Sequence, residues 1–151
     1  NGSVMRRMLG LDHGEKRIGV AVSDELGLMA HPVETYHRRS RAEDVEYVIK
    51  LVHTYDVETI AVGLPKHMNG DLGISAKRVN RFINELVAKL DVKIVSWDER
   101  LTTVMATRIL QETTRSRKKR TKAIDQVASV LILQSYLDSI RDIHGDGADD
   151  E

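Results

Sequence analysis

Three apolar segments near the start of the chain, Arg7 to Asp12, Arg17 to Ser23 and Leu28 to Tyr36, are separated by only four residues each time. Each reads as a short strand, the second ("RIGVAVS") keeping one face small with its glycine and alanine. A four-residue gap closes a hairpin, but it cannot carry a crossover, which needs roughly a dozen residues or more. An antiparallel meander is therefore predicted, and it fixes one half of any sheet the chain builds.

Downstream the pattern changes. Ser40 stands three residues before Glu43, the spacing of a capping box. Val45, Val48, Ile49 and Val52 then recur on one helical face. "ETIAVGLP" is a short apolar run ended by Gly63 and Pro65, suited to a covered parallel strand. A glycine-rich loop, "PKHMNGDLG", precedes a helix predicted from Ile74 to Leu90, with Val79, Phe82, Ile83, Leu86 and Val87 on one face. "VKIVSW" reads as a last buried strand, and Thr102 to Glu112 and Lys122 to Ile140 as two further helices. Strands reached through helical crossovers lie parallel to the first. The predicted fold is α/β: a five-stranded mixed sheet, three antiparallel strands then two parallel ones, with helices on both faces.

A chain of 151 residues, 41% of them hydrophobic and 30% charged, has material for one packed domain. That domain is expected over residues 5–141. Asn1 to Val4 resemble an expression scar, and residues 142–151 an acidic disordered tail. No apolar run reaches the roughly 18 residues of a membrane span and no signal pattern opens the chain, so a cytoplasmic protein is expected. The absence of cysteine excludes disulfides and thiolate chemistry, and it leaves oxygen or imidazole as the only metal ligands.

Formal net charge is zero, but the charge is unevenly distributed. "TTRSRKKRTK", Thr113 to Lys122, holds Arg115, Arg117, Lys118, Lys119, Arg120 and Lys122 without one acid. Such a cluster suits contact with a polyanion, although a solvated loop has the same composition.

In open sheets of this kind ligands gather at the carboxyl ends of the strands. Asp12 ends the first strand, Asp98 and Glu99 end the last, and Asp125 opens the final helix. Carboxylates brought together repel unless a cation lies between them, and hard oxygen ligands favour Mg²⁺ or Mn²⁺. Two such ions can activate a water and stabilise the leaving oxygen of a phosphodiester. The plain alternatives are turn formation for Asp12 and helix-dipole capping for Asp125. Asp98 and Glu99 point to opposite sides of a strand, so at most one joins Asp12, and the pattern does not say which. His13 should point away from Asp12 into a surface or packing role. His67 lies in a loop that could meet a phosphate. Trp97 reads as core.

"GLDHGEKRIGVAVSD", "VGLPKHMNGDLG", "WDERLTT" and "KKRTKAIDQVASVLILQSYL" together resemble the signature blocks of the YqgF family, assigned to pre-16S rRNA processing and also described as Holliday-junction-resolvase-like. The blocks stand in the family's order from Met8 to Leu137. The resemblance implies an RNase H-like fold and a metal-dependent nuclease that trims the 5′ end of precursor 16S rRNA. The implied catalytic and metal-binding set is Asp12, Glu99 and Asp125, with Mg²⁺ or Mn²⁺ as cofactor.

The implied partner is structured RNA, with DNA as an alternative, no membrane, and a monomer or homodimer. Nucleic-acid contacts are expected from Lys16, Arg17, Lys66, Asn69, Arg100 and the basic segment Arg115, Arg117, Lys118, Lys119, Arg120 and Lys122. Gly14 and Gly19 then read as clearance for a nucleic-acid backbone. Resolvases of this fold commonly carry a fourth acid on the last helix. Here Lys122 stands one turn before Asp125, and Ala128 and Ser129 one turn after. Holliday junction resolution and non-catalytic RNA binding in ribosome assembly are the competing readings. Another, the phosphate loop of actin-like ATPases, would need two related domains where the length provides one.

Overall fold

The computed structural model describes residues 6–64, 71–98 and 127–141. The three leading strands are β1 (Arg7–His13), β2 (Arg17–Ser23) and β3 (Ala30–His37), followed by α1 (Arg41–Tyr55), β4 (Val57–Leu64), α2 (Asp71–Lys89) and β5 (Lys93–Asp98). A last helix, α3, covers residues 127–141. The sheet order is β3-β2-β1-β4-β5. β2 pairs antiparallel with β1 and β3, whereas β4 runs parallel to both β1 and β5. This is the predicted mixed sheet, and it follows from connection length: links of three and six residues in the first half, helices in the second.

Most boundaries lie within one residue of the sequence reading, and two differ by more. β3 starts at Ala30 and not at Leu28, because Asp24 Oδ1 accepts the backbone N–H groups of Leu28 at 2.8 Å and Met29 at 3.4 Å and holds both in the turn. α2 begins at Asp71, earlier than the apolar periodicity that starts at Ile74. The predicted helix Thr102 to Glu112 and residues 122–126 of the last predicted helix lie outside the described residues.

α1 forms where the capping box predicted it. Glu43 N–H donates to Ser40 Oγ at 3.1 Å, and the Glu43 carboxylate returns to the Ser40 backbone. The helix ends at Asp56, whose left-handed conformation (φ 53°) turns the chain directly into β4.

The two faces of the sheet are packed differently. On the α1/α2 face, Leu9, Leu11, Ile18, Val20, Ile60 and Val62 lie buried against Val48, Val79, Phe82 and Leu86. The α3 face has small residues where the other has large ones: Ala21 and Ala61 meet Ile132, Leu133, Tyr136 and Leu137. At Gly10 the helix rests on bare backbone, since a Cβ there would lie 2.6 Å from Leu133 Cβ and 2.9 Å from the Ser129 carbonyl oxygen. Gln134 fastens α3 to the start of β3, its Oε1 accepting Ala30 N–H at 2.9 Å and its Nε2 donating to the Leu28 carbonyl at 3.0 Å. The sole tryptophan, Trp97, is half-buried at the end of β5. It lies edge-on to Tyr136 with ring centroids 5.5 Å apart and donates Nε1–H to Ser135 Oγ at 3.1 Å.

Candidate functional site

Strand alternation determines where the β1 residues point. Leu9, Leu11 and His13 belong to the α1/α2 face, and Met8 and Gly10 to the α3 face. Asp12 shares the parity of Met8 and Gly10, so its half-buried carboxylate stands on the α3 side at the carboxyl end of β1. Opposite it on β2 is Gly19, which adds no side chain beside the carboxylate.

The register of the parallel strands extends this argument to β5. Leu11 aligns with Val62, and Val62 with Ser96; Leu64 aligns with Asp98. Trp97 packs on α3, whereas Ile94 packs into the α1/α2 core, so Asp98 has the parity of Ile94 and lies on the face opposite Asp12. Glu99 and Asp125 lie outside the described residues, as do His67, Lys66, Asn69, Arg100, Arg115, Arg117, Lys118, Lys119, Arg120 and Lys122. Among the described residues no group of three metal-ligating side chains comes together.

The turn after β1 is tight. Gly14 N–H donates to the Arg17 carbonyl at 2.8 Å, and a Cβ on Gly14 would stand 2.9 Å from that same oxygen. Gly14 is thus required by the hairpin itself. Residues Gly14 to Arg17 frame a depression of about 200 Å³, with Lys16 exposed and Arg17 half-buried. Arg38 braces this turn from below. Its Nη1 donates to the carbonyls of Gly14 at 3.1 Å and Glu15 at 3.0 Å, and its Nε pairs with Asp44 at 2.9 Å. Asp44 is fully buried. Burial disfavours its charge, but the Arg39 backbone N–H, the Arg38 guanidinium and the Tyr36 hydroxyl outweigh that and hold its carboxyl below the usual carboxylate range.

His13 takes the packing role. Its ring is tilted over Phe82 at 4.3 Å, Nδ1 accepts from Arg78 Nε at 3.4 Å, and its carbonyl accepts from Arg78 Nη2 at 3.3 Å. Burial, reinforced by the charges of Arg38 and Arg78, lowers its pKa to about 3, so it is neutral at pH 7. Arg38 and Arg78 were not singled out by sequence reasoning. They are 40 residues apart in sequence, and no local pattern brings them to one histidine.

No described helix is long and apolar enough to cross a membrane.

Comparison with known proteins agrees with this fold. The sequence matches the RuvX family, described as Holliday junction resolvase, over residues 6–139. A Clostridium botulinum (strain Hall) protein named "Putative pre-16S rRNA nuclease" is 48% identical over 134 residues, covering 89% of this chain and 98% of the relative. A protein of the same name from Halothermothrix orenii is 48% identical over 139 residues, covering 92% and 99%. Two solved structures share the fold at 13% identity. The fowlpox virus Holliday junction resolvase has a TM-score of 0.54 over 89% of this chain and 99% of its own. Thermus thermophilus RuvC in complex with a Holliday junction substrate has a TM-score of 0.53 over 84% and 92%. The family resemblance read from the sequence blocks is borne out, and the chain belongs to the RuvX family.

Proposed function

We propose that this protein is a metal-dependent nuclease that hydrolyses a phosphodiester at the 5′ end of precursor 16S rRNA. The observation that carries the reading is the position of Asp12, a half-buried carboxylate at the carboxyl end of the central strand, on the sheet face where α3 packs. The names of relatives spanning nearly the whole chain supply the substrate class.

The donor chemistry fits Mg²⁺ or Mn²⁺. Asp12 is a hard oxygen ligand, the neighbouring histidine faces the other way and is engaged with Arg78, and the chain has no cysteine. Asp12, Glu99 and Asp125 would hold the ion. Asp98 falls on the face opposite Asp12, which disfavours it and supports its neighbour Glu99, the residue the family resemblance implies. In sequence Asp125 stands four residues before Ser129 and eight before Leu133, the two α3 residues that meet Gly10, and that helical spacing supports it as a ligand. When bound, the metal supplies a nucleophilic water and stabilises charge on the phosphodiester oxygens. The chain's own part is to present carboxylates from a rigid strand end and to hold the RNA backbone through Lys16, Arg17, Lys66, Asn69, Arg100 and the basic segment 115–122. The site is expected to work in the cytoplasm.

A second reading, resolution of four-way DNA junctions, is favoured by the description of the family and by the two resolvase structures that share the fold. Cleavage of an RNA spanning a precursor 16S 5′ end, beside a four-way DNA junction, with Mn²⁺ and with EDTA, separates the two. Mn²⁺-dependent cleavage of the RNA is expected. Preferential junction cleavage would transfer the assignment to DNA, and metal-independent RNA binding without cleavage would reduce the protein to an assembly factor.

A further inference from the structure

Four consecutive carbonyls, those of Gly14, Glu15, Lys16 and Arg17, carry the chain from β1 into β2, and each of them accepts a hydrogen bond. Gly14 N–H donates to the Arg17 carbonyl at 2.8 Å. The other three are all held by Arg38: its Nη1 donates to Gly14 at 3.1 Å and to Glu15 at 3.0 Å, and its backbone N–H donates to Lys16 at 2.9 Å. One residue just past the end of β3 thus fixes the peptide planes of the turn that leaves the Asp12 strand.

Arg38 is itself held in place. Its Nε lies 2.9 Å from one carboxylate oxygen of the fully buried Asp44, whose other oxygen accepts the Arg39 backbone N–H at 2.9 Å. An ion pair taken out of water adds little net stability over an apolar pair of similar shape. Its contribution here is directional: with Nε fixed on Asp44, the planar guanidinium aims Nη1 at the turn. Arg38 therefore works inward, and the cation that the turn presents to solvent is Lys16. A surface turn without such a brace loses backbone freedom when its side chains grip a ligand, and that loss weakens binding. In this chain the turn is ordered on folding.

We propose that Arg38 is a positioning residue for substrate binding: it locks the β1–β2 turn so that Lys16 stands ready to hold a backbone phosphate near Asp12, and it does so without touching the substrate. The inference rests on the nuclease reading, in which Lys16 contacts RNA, but its test does not depend on cleavage.

The experiment measures binding of a short fluorescein-labelled single-stranded RNA to the Asp12→Asn chain in EDTA across a salt series, with the folding of each variant checked by thermal melting. Arg38→Lys keeps the charge and a partner for Asp44, but its single ammonium cannot serve Asp44 and two carbonyls together. It is expected to weaken binding several-fold and to reduce the steepness of log K against log salt by up to about 0.7, the loss of one phosphate contact to a single strand, although no charge has been removed. Lys16→Gln is expected to show the same loss. Adding Arg38→Lys to Lys16→Gln should cost no more, because two residues that act through one contact are not additive. Arg41→Lys, paired with Glu85 at the start of α1, is the control and should change neither affinity nor slope.

Unchanged affinity and slope in Arg38→Lys, with the parent chain still binding RNA, would overturn the positioning role and leave the nuclease reading intact. Fully additive losses in the double variant would also overturn it, since Arg38 would then act independently of Lys16. Failure of the parent chain to bind RNA at all would overturn both. Should Arg38→Lys not fold, Arg38→Gln combined with Asp44→Asn, which leaves no buried charge uncompensated, carries the same comparison with the same expected and contrary results.

Discussion

Gly10 and Leu133 leave no room between them: a methyl group on Gly10 would stand 2.6 Å from Leu133 Cβ. The helix that covers the Asp12 face is therefore set at its depth by the absence of a side chain two residues before the carboxylate. Gly10→Ala is expected to push α3 outward and to destabilise the fold by about 1–3 kcal/mol, the usual cost of overpacking a tight core contact. Urea denaturation, followed through the single tryptophan at the α3 interface, reads this directly.

Arg38 and Asp44 form a nearly water-free ion pair that also holds the carbonyls of the β1–β2 turn. Removing one partner leaves the other charge buried and uncompensated. Asp44→Asn is expected to cost about 3–5 kcal/mol, visible as a shifted denaturation midpoint.

Stability should also depend on mild acid. His13 faces Arg38, Arg78 and Asp44 and titrates at about 3 in the folded chain, against 6.5 for the unperturbed group, because burial and the two guanidinium groups oppose its protonation. The unfolded chain therefore binds the extra proton first, and stability falls as pH drops from 6.5 toward 3. The slope reaches up to about 1.4 kcal/mol per pH unit for this one group. His13→Phe, which keeps the ring contact with Phe82, is expected to flatten the dependence between pH 6.5 and 4. Chemical denaturation at a series of pH values measures the difference. An unchanged slope in the variant would assign the acid sensitivity to other groups.

Much of the scaffold was legible because local rules decide it. Four-residue links admit only hairpins, and Ser40 with Glu43 marks the start of α1. The Asp24 turn was misjudged by two residues, because hydropathy carries Leu28 and Met29 into the strand while a side-chain oxygen holds their N–H groups outside it.

At the site, the sequence could say that Asp98 and Glu99 face opposite ways. It could not say which shares the side of Asp12, because that depends on register across two parallel pairings, Leu11 to Val62 and Val62 to Ser96. Gly10 and Gly14 look alike in sequence. One makes room for a helix more than a hundred residues away and the other closes a turn, a distinction that only packing reveals. The arginines around His13 were missed for the same reason: their chemistry appears only when α1, α2 and the end of β1 meet.

The most direct test of the central claim is cleavage of an RNA spanning the precursor 16S 5′ end in Mn²⁺ by the wild-type chain and by Asp12→Asn, with RNA affinity and thermal stability measured in parallel. Asp12→Asn is expected to lose cleavage while binding and stability stay near wild type. Cleavage by Asp12→Asn at the wild-type rate would contradict the assignment of Asp12 as a metal ligand and, with it, the proposed mechanism.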